Sequence, residues 1–196
     1  MSSFKRLAVY CGSATPADPV YMETARQVGT MLAERGIGVV YGGGKVGLMG
    51  MVADSAMAAG GEVIGVIPEA LVNAEVAHRG LTELHVVPDM HARKALFTTL
   101  SDGFITLPGG VGTMDELWEA ISWSQLGYHQ KPVGLLNTAG FYDQLISFNR
   151  HMIETGFIRG PHAGILIARE TLGDLLDAMA DYQPHETIFS MKVDRL

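Results

Sequence analysis

The 196-residue chain holds one cysteine, Cys11. One thiol cannot build an intramolecular disulfide framework or a multi-cysteine zinc site. The scarcity fits a reducing compartment. Positive charge is also short: 14 Lys and Arg stand against 21 Asp and Glu, a net charge of −7. A general DNA- or RNA-binder needs a basic face, so nucleic acid is not an expected partner. A small anion needs only a local positive pocket and stays open as a ligand. No apolar run reaches the ~18 residues of a membrane span, so no membrane contact is expected. The opening stretch MSSFKRLAVYCGSATP is too briefly apolar for a secretory leader. These gaps together predict a cytoplasmic protein. The histidines give no metal signature: no HExxH occurs, and His85 and His91 lack helical ligand spacing. No metal site is expected.

Glycine is what the chain has in excess: 24 residues, about 12% against a usual ~7%. With 47% hydrophobic and 18% charged residues the chain can bury a core without staples. The length suits one domain spanning 1–196, with 182–196 as a less regular C-terminal tail because periodicity fades there.

Short apolar runs alternate with helical patterns. Runs at 7–11, 38–41, 63–67, 84–87, 103–107, 133–136 and 165–168 read as strands. Their near-uniform apolarity suits strands covered on both faces. Helical patterns fill 19–35, 48–59, 89–101, 113–126, 141–155 and 171–181. Asp18 caps the first, Pro19 starts it and Gly36 stops it. Residues 69–81 look irregular and read as a short helix and a loop. The predicted fold class is α/β: a Rossmann-like, doubly wound, mostly parallel sheet of about seven strands flanked by helices. Ligands in such folds sit beyond the carboxyl ends of the strands.

Four segments after strands could meet a ligand. Cys11-Gly12-Ser13-Ala14-Thr15 offers hydroxyls and an open backbone, or is an ordinary polar turn. The run 42–50, GGGKVGLMG, contains G-x-G-x-x-G only formally, and Val46 after Lys45 excludes a P-loop. It serves ligand approach or a tight strand-to-helix turn. Leu107-Pro108-Gly109-Gly110-Val111-Gly112-Thr113 leaves a strand and opens a helix, whose free N–H groups and dipole suit a phosphate. Within it Thr113-x-x-Glu116 reads as a capping box, which competes with a catalytic reading of Glu116. Asp115 and Glu119 have the same bland alternative, as solvated or dipole-stabilising acids. The fourth segment is Asp89-Met90-His91-Ala92-Arg93-Lys94. Arg93 shares a helix face with Leu96, Phe97 and Leu100, which is costly unless it is paired or faces a ligand. Lys94 projects about 100° away, toward the surface on this reading.

The motifs at 90–94 and 108–116, in that order, resemble the Lonely Guy (LOG) family of cytokinin riboside 5′-monophosphate phosphoribohydrolases. Cys11-Gly12-Ser13 and the 42–50 run resemble it too, and the similarity extends from about residue 5 to about 180. The resemblance implies a Rossmann-like hydrolase without a cofactor. It would cleave the N-glycosidic bond of N6-modified AMP, and often of AMP, to free base and ribose 5-phosphate. It implies that Arg93 and Glu116 form the catalytic pair. Gly110, Val111, Gly112 and Thr113 would hold the phosphate, and Arg93 and Lys94 would contact the ligand. Gly12, Ser13, Gly43, Gly44, Glu75, Met90, Met114, Asp115 and Ser122 complete the implied substrate-binding set, with Ser122 where the family commonly has Thr. It also implies a homodimer whose partner subunit helps to enclose the site. The chemistry suits these types: a carboxylate can stabilise oxocarbenium character and orient water, and a nearby arginine keeps it ionised. Three rival readings are a pyridoxal-phosphate lysine decarboxylase, a non-catalytic nucleotide carrier on the same fold and an NAD(P) oxidoreductase. The first needs a Schiff-base lysine, and none of the five lysines stands in a Ser-His-Lys setting.

Overall fold

The computed structural model describes residues 4–72 and 77–188. Seven strands form one sheet: β1 (Arg6–Tyr10), β2 (Gly38–Tyr41), β3 (Val63–Pro68), β4 (Glu83–Val87), β5 (Phe104–Thr106), β6 (Val133–Leu136) and β7 (Leu166–Arg169). Their order is β4-β3-β2-β1-β5-β6-β7, and every pairing is parallel. The α-helices are α1 (Pro19–Glu34), α2 (Gly47–Ala58), α3 (Met90–Leu100), α4 (Val111–Leu126), α5 (Asp143–Glu154) and α6 (Leu172–Ala180). This is the doubly wound α/β arrangement that the alternating runs predict. Strand order reverses between β1 and β5, so the crevice beyond their carboxyl ends is where such folds take ligands.

Strand residues alternate between two cores. Leu7, Val9, Val39 and Tyr41 face one side, against α1, α2 and α6. Ala8, Tyr10, Val40 and Phe104 face the other, against α3 and α4. Period-two alternation with apolar residues on both faces is why the strands read as continuous apolar runs. α1 begins as its sequence dictates: the Asp18 carboxylate accepts the Val20 N–H at 2.9 Å, and Gly36 takes φ +70° just past the end.

Two segments depart from simple periodicity. Among its described residues the β3–β4 crossover has no α-helix. A 3₁₀ turn spans Glu69–Leu71, and farther on Ala77 bridges Gly44 in antiparallel fashion. The buried His78 fastens this segment to α2 through Nε2, 2.9 Å from Asp54 Oδ1. Residues 182–188 are irregular but held. The Tyr182 hydroxyl and His185 Nδ1 are 2.8 Å apart, and His185 Nε2 lies 3.1 Å from the Ser124 carbonyl. Histidine-to-backbone bonds replace helical repeat here, so no period announces the packing. Residues 189–196 of the expected tail lie outside the described residues.

His129 follows the left-handed glycine that ends α4. Its Nε2–H donates to the Ala120 carbonyl at 2.9 Å, and its Nδ1 accepts the Lys131 N–H at 3.2 Å. Burial holds its pKa down at about 4, against 6.5 for a free ring. The folded value lies below the unfolded one, so the unfolded chain takes up the proton first. The stability is therefore complete above pH 6.5 and lost as pH falls toward 4, by up to about 3 kcal/mol. Urea unfolding between pH 4 and 7 should show this slope, and His129→Gln should flatten it. An equal slope in the variant would remove His129 as its source.

Candidate active site

The turns after β1 and β5 lie against each other. The Gly12 N–H donates to the Pro108 carbonyl at 3.1 Å, and the Leu107 N–H donates to the Tyr10 carbonyl at 2.9 Å. Glycine is required at 109, where a Cβ would collide with the Thr113 side chain and lie 2.9 Å from the Gly12 nitrogen. The next turn opens α4. Gly110 is its N-cap and supplies no side-chain bond, and the first intrahelical bond runs from the Met114 N–H to the Gly110 carbonyl at 3.1 Å. The N–H groups of Val111, Gly112 and Thr113 therefore head the helix without intrahelical acceptors. A Cβ at Gly110 or Gly112 would meet nothing within 4 Å. The free donors, the open space and the positive end of the helix dipole make an anion cradle.

This start corrects the capping-box alternative. The helix begins at Val111, two residues before the expected 113. Thr113 then sits inside the first turn, and Glu116 lies in the second, too late to fold back on a cap. Thr113 is 4% exposed and packs against the glycine turn.

α3 packs on the same face of the sheet as α4. Its N-cap Asp89 accepts the Ala92 N–H at 2.8 Å, which sets the first turn and places Arg93 one turn in. Arg93 is buried, 4% exposed, with its guanidinium carbon 5.5 Å from the centre of the Phe97 ring. Nη2 donates to the Gly42 carbonyl at 3.1 Å. That approach needs glycine at 42, because a Cβ there would collide with Nη2. The same Nη2 lies 3.9 Å from Glu116 Oε1, whose side chain is 12% exposed. The arginine in the apolar stripe is thus paired with a carboxylate of α4 and a carbonyl of the turn after β2.

Around this pair opens a cavity of about 310 Å³. Of the residues that sequence reasoning nominates, Gly12, Ser13, Met90, Arg93, Gly110, Val111, Gly112, Thr113, Asp115 and Glu116 line it. Others lie elsewhere. Gly43 and Gly44 carry the backbone that meets residues 77 and 78, with the Gly43 carbonyl accepting the His78 N–H at 2.8 Å. Met114 packs into the core beside α4, and Ser122 is exposed farther along that helix. Glu75 lies outside the described residues. Lys94 is not the surface residue that its helical phase suggests. Its ammonium sits 2.8 Å from Asp115 and 2.9 Å from Glu119, with a side chain 12% exposed. Burial disfavours its charge, but the two carboxylates outweigh this and raise its pKa.

Cys11, Met49 and Leu71 also line the cavity. Cys11 and Met49 stand in two of the segments read as ligand-facing but are not among the nominated site residues, because apolar residues beside glycine turns look like core. The place of Cys11 at the end of a strand is the one signal that could have marked it. Burial, and then the nearby Glu116, push the Cys11 thiol and the Tyr10 hydroxyl upward. Both stay protonated, so Cys11 is a neutral wall rather than a nucleophile.

Residues 49–179 match a family model described as "Possible lysine decarboxylase". The chain is 44% identical to the cytokinin riboside 5′-monophosphate phosphoribohydrolase LOG1 of Arabidopsis thaliana, over 97% of this chain and 90% of that protein. It is 46% identical to the rice enzyme of the same name, LOG, from Oryza sativa subsp. japonica, over 93% of this chain and 76% of that one. The chain belongs to the LOG family. Its fold extends further than the LOG sequences. A molybdenum cofactor binding protein from Rippkaea orientalis superposes with a TM-score of 0.66 at 23% identity, covering 90% of this chain and 96% of that one. That likeness concerns the fold alone. In this chain the 90–94 and 108–116 segments furnish most of the cavity wall.

Proposed function

We propose that this LOG-family chain hydrolyses the N-glycosidic bond of adenosine 5′-monophosphates, N6-modified ones included, to free base and ribose 5-phosphate. One observation carries the reading: a buried arginine–carboxylate pair and a helix N-terminus open onto the same cavity. A nucleoside monophosphate has the matching layout, an anion at one end and a glycosidic carbon several ångströms away.

The phosphate lies at the N–H groups of residues 111–113, where Gly110 and Gly112 leave room. Binding there supplies positioning energy remote from the bond that breaks. The ribose then faces Glu116. As the bond to the base lengthens, positive charge grows on the sugar, and the Glu116 carboxylate stabilises it and orients water. Water gives its hydroxyl to the sugar carbon and a proton to the departing base. Arg93 fixes the carboxylate from its seat on Gly42. No cofactor takes part in these steps.

A lysine decarboxylase reading needs a lysine that reaches the cavity, and none lines it among the described residues. A pure carrier on this fold has no need of the Arg93–Glu116 pair. The homodimer belongs to the same proposal. Val111 in the cavity wall is 88% exposed, and Tyr128 and Phe157 are 69% and 86% exposed, which leaves apolar surface for a partner subunit to cover. A cytoplasmic location completes it, and no described helix is long and apolar enough to cross a membrane.

The test is product analysis. AMP and N6-isopentenyl-AMP should each yield free base and ribose 5-phosphate in equal amounts. Release of inorganic phosphate with the glycosidic bond intact would overturn the proposal.

A further inference from the structure

The helix that carries Glu116 also carries Asp115 and Glu119. Three carboxylates fall within two turns of α4, and like charges three and four residues apart on a helix destabilise one another. The facing helix answers with two adjacent cations that diverge by about 100°. Arg93 turns to the Gly42 carbonyl and to Glu116. Lys94 turns to Asp115 and Glu119, at 2.8 and 2.9 Å. The division is unequal. Lys94 makes close contacts, whereas Arg93 Nη2 stands 3.9 Å from Glu116 Oε1.

We propose that Lys94 is a positioning residue: its single charge offsets part of the field of the two carboxylates flanking Glu116, so that Glu116 answers to Arg93 and to the ligand more than to its own helix. The inference rests on the reading of Glu116 as the group that acts on the sugar. It departs from the ligand-contacting role that the family resemblance implies for Lys94. The ammonium is outside the cavity wall and reaches it only through Asp115, whose side chain is 56% exposed and does line the cavity. An unneutralised Asp115 in that wall would repel a phosphate ester. With Lys94 in place, the wall beside the anion cradle is less negative.

Several groups among the described residues stand near Glu116. From α3 comes Arg93. From the end of β1 and the turn after it come Tyr10 and Cys11, both neutral. From α4 itself come Asp115 and Glu119, and the 107–112 turn carries no charge. Removing Lys94 therefore leaves Glu116 beside two uncompensated carboxylates.

The experiment follows the Glu116 carboxyl by NMR titration in the free protein, beside the pH profile of kcat/KM for AMP. Lys94→Met should raise the Glu116 midpoint by about one pH unit and move the acid limb of the profile with it. Adding Asp115→Asn and Glu119→Gln to Lys94→Met should return both toward wild type. An unchanged midpoint in Lys94→Met overturns the proposal. So does a triple variant that stays as impaired as Lys94→Met, because a lost ligand contact would not be repaired by neutral carboxylate replacements. Should Lys94→Met fail to fold, Asp115→Asn with Glu119→Gln gives the opposite reading. Lys94 then acts on Glu116 uncompensated and its midpoint falls, while an unmoved midpoint counts against the proposal. A wild-type protein that releases no base defeats the proposed hydrolase activity, and the Glu116 titration still decides the role of Lys94.

Discussion

Glu116→Gln is expected to lower turnover of AMP by about 10²- to 10⁴-fold, with KM changed little. The side chain is 12% exposed and Arg93 Nη2 lies 3.9 Å away. Glutamine has the same shape and keeps the packing, but it removes the negative charge where positive charge develops in the transition state. KM should hold because the proposed phosphate site, residues 110–113, lies one turn earlier on α4. A loss in kcat without a matching rise in KM marks an interaction made only in the transition state. Turnover within about threefold of wild type would take Glu116 out of the chemistry.

Gly42→Ala should be nearly as damaging, although residue 42 is not among those that line the cavity. A methyl there collides with Arg93 Nη2 and comes 3.0 Å from the Met49 sulfur. Arg93 has little room to yield, since it is 4% exposed and packed on Phe97. Overpacking of this kind costs about 1–3 kcal/mol of stability. Displacing the guanidinium from Glu116 should cost about 10²-fold in turnover, because small misplacements in a catalytic pair are felt at that scale. Gly110→Ala is the comparison for stability, because its methyl meets nothing within 4 Å. If Gly42→Ala unfolds at the wild-type midpoint and turns over AMP normally, Arg93 is not held where the structure has it.

The sheet was readable because its strands are short, apolar and spaced by amphipathic helices. β2 and β6 stand at 38–41 and 133–136, where their apolar runs lie. Parallel order and right-handed crossovers then leave few topologies. The start of α4 was misplaced because a hydroxyl residue normally outranks glycine as a cap. Here Gly110 holds the cap position and leaves the donors behind it free of any side chain. Arg93 stood out as a charge in an apolar stripe, but its partners did not. Gly42 is 51 residues away and Glu116 belongs to another helix, so no local period connects them. Lys94 misled for the same reason. Helical phase turned it from the Arg93 face, and only the packing of α3 on α4 brings Asp115 and Glu119 to its ammonium. The glycine excess divides in the fold. Gly42 and Gly109 make room for neighbouring protein atoms, while Gly110 and Gly112 face open space at the anion cradle.

The central claim is that phosphate bound at the head of α4 positions a sugar for Glu116. The direct test is to assay base release from AMP and N6-isopentenyl-AMP beside adenosine and N6-isopentenyladenosine under the same conditions. The account predicts that the monophosphates are cleaved at least about 10³-fold more efficiently in kcat/KM, since the positioning energy comes from the phosphate. Nucleosides cleaved as readily as their monophosphates would contradict it.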